Sequence, residues 1–353
     1  MAAIGVALMA VAFAAPTPAV TTDRGTYEAT ASRFIVRDCA DLHCFRVLVP
    51  WTLGVLPGAS LAKWKAYAAI ANWLAAVGVY VLALGWGLSV RGAVMAAVIS
   101  AFGFGSLYTL FDPFTSDPLM YGLGPLLTWL VLQERIALAG VLAAIGVLAK
   151  EFAAAPMLIM TAASAMSGRL VPALRILAWA NVALIVWLIL QLTLIIGFNY
   201  SYGGNSSTQL LSGGYLAHWL SRQSWAVSAL AIYGEFGVLW ILAPIGFWFA
   251  SHTVRRIVLA AIPVALVFGY VQQPDRAFWN FHFLAAPLAA LVLERAPAAV
   301  AWACVAAFVF ANLRLGAQLP FIPASRASLA LSLALAVGCL YSVRRSSAMV
   351  AAS

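Results

Sequence analysis

Asp23, Glu28, Asp38, Asp41, Asp112, Asp117, Glu151 and Asp275 all stand at the edges of long apolar runs. A carboxylate is costly there, so acids at such boundaries point to function. Asp23 lies just past the first run, in Thr-Thr-Asp-Arg-Gly-Thr-Tyr-Glu. A carboxylate at a water–lipid boundary can take a proton from a hydroxyl while one flank stays partly desolvated. The bland alternative is a solvated acid that marks a helix end. Asp112-Pro-Phe-Thr-Ser-Asp117-Pro holds two acids five apart, each before a proline, which favours a turn or a helix N-cap. Such a pair could also hold a divalent cation such as Mg or Mn with waters. Asp23 and Asp117 are the candidate ligands.

Lys150-Glu151 sits between two apolar segments with room only for a short turn. The two charges either neutralise one another, or Lys150 binds a phosphate while Glu151 orients it or a sugar hydroxyl. Arg46 and Arg276 suit phosphate because the planar guanidinium donates two parallel hydrogen bonds. Asp275-Arg276 opens onto Phe278, Trp279 and Phe281, which could line a lipid or sugar path. His282 follows, and a satisfied core histidine is the expected role. Glu235 interrupts an apolar run in Tyr-Gly-Glu-Phe-Gly, and the sequence names no partner for it.

The elements that must position these groups are membrane helices. The chain is 64% hydrophobic and 9% charged, and apolar runs long enough to cross a bilayer recur throughout it. Their continuity predicts helices, since barrel strands would alternate over short stretches. Runs at about 1–20, 66–89, 92–111, 118–132, 136–149, 152–166, 172–198, 226–250, 257–271, 278–293, 297–313 and 327–343 predict an all-α polytopic protein. The expectation is about 12 spans (10–13) in a single membrane domain, 1–353. An external loop fills 21–65, the remaining spans fill 66–343, and a cytoplasmic tail covers 344–353. Within that first loop, Arg33 to Trp51 mixes apolar and charged residues and predicts short amphipathic helices at the interface.

Alternating from an internal N-terminus puts Arg91, Arg135, Arg169, Arg175, Arg255, Arg256, Arg295, Arg344 and Arg345 inside. Five basic residues then fall in the short external connections against these nine, as the positive-inside bias requires. All the boundary acids named above emerge on the external side. Segments such as 118–132, roughly 22 Å as a helix, are short of the bilayer thickness. They either accommodate mismatch or end inside the protein, sinking Asp117 and Lys150-Glu151 into a cavity.

The net charge of +9 comes from bases scattered in ones and twos, which argues against a nucleic-acid surface. Cys304 and Cys339 lie in apolar runs and read as packing residues. Cys39 and Cys44 are close enough for a local disulfide where their loop faces an oxidising compartment. The Arg- and Ala-rich composition suggests a bacterial source, so the Asn199-Tyr-Ser and Asn205-Ser-Ser triplets carry no weight as glycosylation acceptors.

Taken in order, these motifs resemble those of the polytopic GT-C-fold glycosyltransferases, which use polyprenyl-phosphate-linked sugars. The features are the acidic first loop (Asp23, Tyr27, Glu28) running into Cys-Phe-Arg-Val-Leu-Val-Pro-Trp, the turn at Asp112 to Asp117, Ala-Ile-Gly-Val-Leu-Ala-Lys-Glu-Phe, and Asp275-Arg276 before a late helix. The resemblance implies inverting sugar transfer from a lipid-phosphate donor to a lipid, glycan or protein acceptor on the external face of a bacterial inner membrane. It implies Asp23, with Glu28, as catalytic base or metal ligand. Arg46, Lys150 and Arg276 would hold the donor phosphate, supported by Asp112, Asp117, Glu151 and Asp275. Family members often pair acids in the first loop, whereas Arg24 and Gly25 follow Asp23 here. The competing expectations are a non-catalytic handler of lipid-linked sugars, such as a flippase or ligase-like partner, and a secondary transporter. Transporters usually carry internal repeats, and no repeat is evident.

Overall fold

The computed structural model describes residues 1–17, 22–202, 217, 221, 224–271, 277–313, 333–334, 336–338 and 340–341. Helices and turns make up these residues, with no strand among them. Membrane-facing sequence dictates this outcome, since a helix satisfies its own backbone groups where no water can. The chain is an integral membrane protein.

Helix α1 (Ala2–Ala14) ends ahead of Pro16 and is followed by α2 (Thr22–Arg33). A 3-10 turn at Leu42–Phe45 leads to α3 (Leu48–Val55). The Arg33–Trp51 stretch thus holds a 3-10 turn and the start of α3, while α2 ends where it begins, and the amphipathic helices expected there are not formed. Cys39 and Cys44 are joined in a disulfide, and the Asp41 carboxylate accepts from the His43 backbone N–H, which winds this stretch into a tight turn. Gly54 lies where any Cβ would overlap the Ala31 carbonyl, so α2 and α3 pack backbone to backbone.

Helix α4 (Ser60–Gly85) starts before the expected boundary at 66. Lys63 donates to the carbonyls of Leu53 (2.8 Å) and Leu56 (3.0 Å), and Lys65 to that of Ala15 (2.7 Å). With their amines bound to carbonyls at the C-terminal ends of α3 and α1, these lysines continue the helix instead of ending it. Helices α5 (Val90–Ala101) and α6 (Phe104–Phe111) meet at a 44° bend. Gly103 and Gly105 leave room there for the Trp279 indole, which a Cβ at either position would strike.

Next come α7 (Asp117–Leu132), α8 (Ile136–Gly146), α9 (Ala155–Met166) and α10 (Leu170–Phe198). The expected span at 226–250 is divided at Gly237, whose φ is +51°, into α11 (Trp225–Phe236) and α12 (Leu239–Phe249). Helices α13 (His252–Val271), α14 (His282–Leu293) and α15 (Ala298–Asn312) complete the described elements.

Among the described helices, α4, α10 and α13 are long and apolar enough to cross a membrane, and the bent pair α5–α6 adds a fourth. Shorter apolar helices include α1, α8, α12, α14 and α15. Helix α4 packs against α1, α5 and α7, while α10 packs against α8 and α9, and α12 against α14. At one end of this bundle Ser89 donates to Glu294, Arg91 to the Glu294 carbonyl, and Arg169 to Glu134. The opposite end carries α2, α3 and the turns before α7 and α9.

Candidate functional site

Helix α2 places Asp23, Arg24, Tyr27 and Glu28 on one side over two consecutive turns. Asp23 Oδ2 lies 3.3 Å from His43 Nε2, and Asp41 Oδ1 lies 2.8 Å from His43 Nδ1. Thr26 Oγ1 donates to Asp41 Oδ2 at 2.6 Å. Burial alone would raise the Asp41 carboxyl, but the hydrogen bonds from the His43 ring, the His43 backbone and Thr26 outweigh it and hold it well below the usual carboxylate range. The imidazole is therefore held between two carboxylates, hydrogen-bonded to Asp41 and within ion-pair distance of Asp23.

Beneath this clamp Tyr27 is fully buried, packed on His43, Trp64 and, through Trp64, Phe114. Its burial pushes the phenol above its ordinary value, against the pull of Arg46 beside it. Arg24 lies 4.8 Å from the centre of the Phe114 ring.

Asp112 stands in the turn between α6 and α7, 7% exposed, with Asp23 among the charges acting on it. Burial and then the like charge of Asp23 push its carboxyl up to about 6, opposed by the Phe114 N–H. Its Oδ1 is buried without a hydrogen-bond partner. A pair of carboxylates with an unsatisfied inner oxygen suits a divalent cation. Among the described residues no group of three His, Cys, Asp or Glu side chains is placed to hold one.

Of the two alternatives for Lys150-Glu151, the self-neutralising pair does not form. Lys150 Nζ instead reaches Asp117 Oδ1 at 2.5 Å, with both side chains at most 6% exposed, and Glu151 Oε1 lies 4.0 Å from Arg46 Nη2. Adjacent side chains diverge here because the backbone turns from extended at Lys150 into a 3-10 helix at Glu151. Asp117 is thus the ion-pair partner of Lys150. The helix cap position belongs to Ser116, while Asp112 is the acid on which the charge of Asp23 acts. Arg46 is 9% exposed, and its Nε is a buried donor without a partner. Tyr202 stacks on Phe45 next to Arg46 and donates to Gln191 at 2.5 Å.

Three connections, the long first one that carries α2 and the turns before α7 and α9, therefore bring Asp23, Arg46, Asp112, Asp117, Lys150 and Glu151 to one end of the bundle. Tyr27 lies among them, with Arg46 and Asp117 among the charges acting on it. Glu28 is engaged elsewhere, by Arg24 at 3.4 Å and Ser60 Oγ at 2.9 Å. Asp275 and Arg276 lie outside the described residues. Glu235 gains the partner that the sequence left open: it accepts from the Trp279 N–H at 2.5 Å. His282 is the expected core histidine, its Nδ1 2.9 Å from the Trp279 carbonyl and its ring stacked on that indole.

His43 was not legible as a site residue from its type alone. The Asp41-Leu-His43 spacing is the usable signal, because a carboxylate two residues before a histidine can cap its N–H and orient its ring.

No family model matches the chain, and no curated protein matches it. Solved structures do. ArnT from Cupriavidus metallidurans in the apo state aligns over 98% of this chain and 71% of its own, at 14% identity and a TM-score of 0.58. The archaeal oligosaccharyltransferase AglB from Archaeoglobus fulgidus, in complex with an inhibitory peptide and a dolichol-phosphate, aligns over 97% of this chain at 15% identity and a TM-score of 0.55. The chain spans about half of that protein's length, 54%. On the strength of this likeness over nearly its whole length, the chain has the GT-C fold.

Proposed function

We infer that this protein is a membrane glycosyltransferase that moves a sugar from a polyprenyl-phosphate-linked donor to an acceptor hydroxyl, with inversion at the sugar carbon. The observation that carries this reading is the convergence of Asp23, Arg46, Asp112, Asp117, Lys150 and Glu151 at one end of a GT-C bundle. Its neighbours by fold include an oligosaccharyltransferase solved with a dolichol-phosphate. In the chemistry proposed, Asp23 takes the acceptor proton as the acceptor oxygen bonds to the anomeric carbon. The bond from that carbon to the phosphate oxygen breaks, and the lipid phosphate leaves with the electron pair.

Arg46, with its buried and unpartnered Nε, is suited to receive the charge that gathers on the leaving phosphate. Lys150 holds Asp117 and adds positive charge behind it. A divalent cation, when bound, would be held by Asp23 and Asp112 and would offset phosphate charge. The remaining parts of the reading are an arrangement of about twelve spans and a site facing the exterior of a bacterial inner membrane.

The test is transfer from a panel of radiolabelled polyprenyl-phosphate sugars in proteoliposomes, comparing wild type with Asp23→Asn and Arg46→Gln. Transfer by wild type that vanishes in Asp23→Asn, with both proteins equally folded, supports the reading. Undiminished transfer in Asp23→Asn moves the base to another acid. Absence of transfer from every donor favours a lipid-linked-sugar handler without catalysis.

A further inference from the structure

The end of the bundle away from Asp23 holds a cavity of about 210 Å³. That is over ten times the roughly 10–15 Å³ one water requires. It opens where α7 and α9 end and α10 begins, with Arg169, Arg175, Ser164, Ser167 and Thr253 on its polar side. Its inner wall is aliphatic, built from residues such as Val131, Met160, Ile176 and Ile257.

The charges at this cavity are unbalanced. Glu134 is its acid, and that carboxylate already meets Arg169 at 2.9 Å in an exposed pair. Arg175 has no acidic partner among the described residues. Arg256 shares a helical face with Thr253, one turn along α13. The first turns of α8, α10 and α13 border the space through Ile136, Pro172 and Thr253, and none of those turns carries an acid. Three helix N-termini and the guanidinium of the exposed Arg175, which has no acidic partner among the described residues, thus border one polar-rimmed space.

Beside the mouth, Leu170, Val171 and Leu174 are exposed on α10, the helix whose length and apolarity suit a bilayer. A soluble anion would have no use for the aliphatic wall or for a mouth edged by leucine and valine. A lipid would use both, placing its phosphate at Arg175 and its chains along the wall.

We propose that this cavity binds the phosphodiester headgroup of an anionic phospholipid from the leaflet opposite the Asp23 site, with Arg175 as its principal ligand and Arg256 in support. The site is independent of the transfer chemistry.

Native mass spectrometry of the full chain in detergent tests it, with titration of dioleoylphosphatidylglycerol, dioleoylphosphatidylcholine or inorganic phosphate. The variants are Arg175→Gln, Arg175→Gln with Arg256→Gln, and Arg33→Gln on the far face as control. The expected result is preferential retention of phosphatidylglycerol, weakened about fivefold by Arg175→Gln and further by the double variant. The control should match wild type, and thermal unfolding should show all variants equally folded. Equal retention of the two lipids, or selectivity that survives Arg175→Gln, overturns the proposal. Displacement of phosphatidylglycerol by equimolar inorganic phosphate overturns it too, in favour of a soluble phosphate site.

Discussion

Lys150 Nζ and Asp117 Oδ1 lie 2.5 Å apart, although 33 positions separate them in the chain and each side chain is at most 6% exposed. The pair joins the start of α7 to the turn before α9, and so fixes two of the connections that build the site. A buried pair resists the loss of one partner far more than the loss of both, since a lone buried charge keeps its desolvation cost. Lys150→Met is therefore expected to lower stability by about 3–5 kcal/mol. Lys150→Met combined with Asp117→Asn should recover much of that loss without restoring transfer. Thermal unfolding in nanodiscs distinguishes the two, and equal destabilisation by the single and double variants would contradict this account.

His43 stands between Asp23 and Asp41 and so orients the proposed base. Replacing it with Gln keeps a polar side chain but removes the ring that stands between the two carboxylates. The expected cost in kcat is on the order of tenfold to a hundredfold, the range seen when a group that orients a reactive residue is lost. The donor KM should change little, because Arg46 is untouched. A rise in KM at constant kcat would assign His43 to substrate binding instead.

The Cys39–Cys44 disulfide closes the loop that carries Asp41 and His43 and ends two residues before Arg46. Opening so small a ring should cost about 2 kcal/mol or less. Its larger effect should be on geometry, with transfer falling in the Cys39→Ser, Cys44→Ser double variant. Dithiothreitol should reduce wild-type transfer to the level of that variant and leave the variant itself unchanged.

Asp112 supplies a pH test whose sign follows from linkage. Its folded-state value, pushed up to about 6, exceeds the ordinary carboxylate value of 3.8. The folded protein thus holds a proton on Asp112 that the unfolded chain releases. The stability from this group is fully present below the unfolded value and is lost as pH rises through about 6. Without divalent cations, the melting temperature of wild type relative to Asp112→Asn should fall between about pH 4 and 6 and then level off. A difference that stays flat across that window would remove the buried, like-charged pair from the account. Adding Mg or Mn above pH 6 should stabilise wild type more than Asp112→Asn.

How far the sequence reached can be followed residue by residue. Boundary acids are legible because a carboxylate beside an apolar run is rare and costly, and Asp23, Asp112, Asp117 and Glu151 lie at one end of the bundle. Helical class was equally legible, since long apolar runs leave the backbone no other means of satisfying its hydrogen bonds. The helix start at Ser60 was not, because nothing local shows that Lys63 and Lys65 have carbonyls waiting for them.

The partners of each charge were the part that only the tertiary structure decided. Sequence places Lys150 next to Glu151, yet the fold turns Lys150 to Asp117 and Glu151 to Arg46. It also sets Asp112 beside Asp23, turns Glu28 to Arg24 and Ser60, and threads His43 between two carboxylates. Hydrophobic patterning is a one-dimensional signal that each segment carries by itself. Ion pairing depends on which helix ends meet in space and on a few ångströms of side-chain direction, and packing alone settles both.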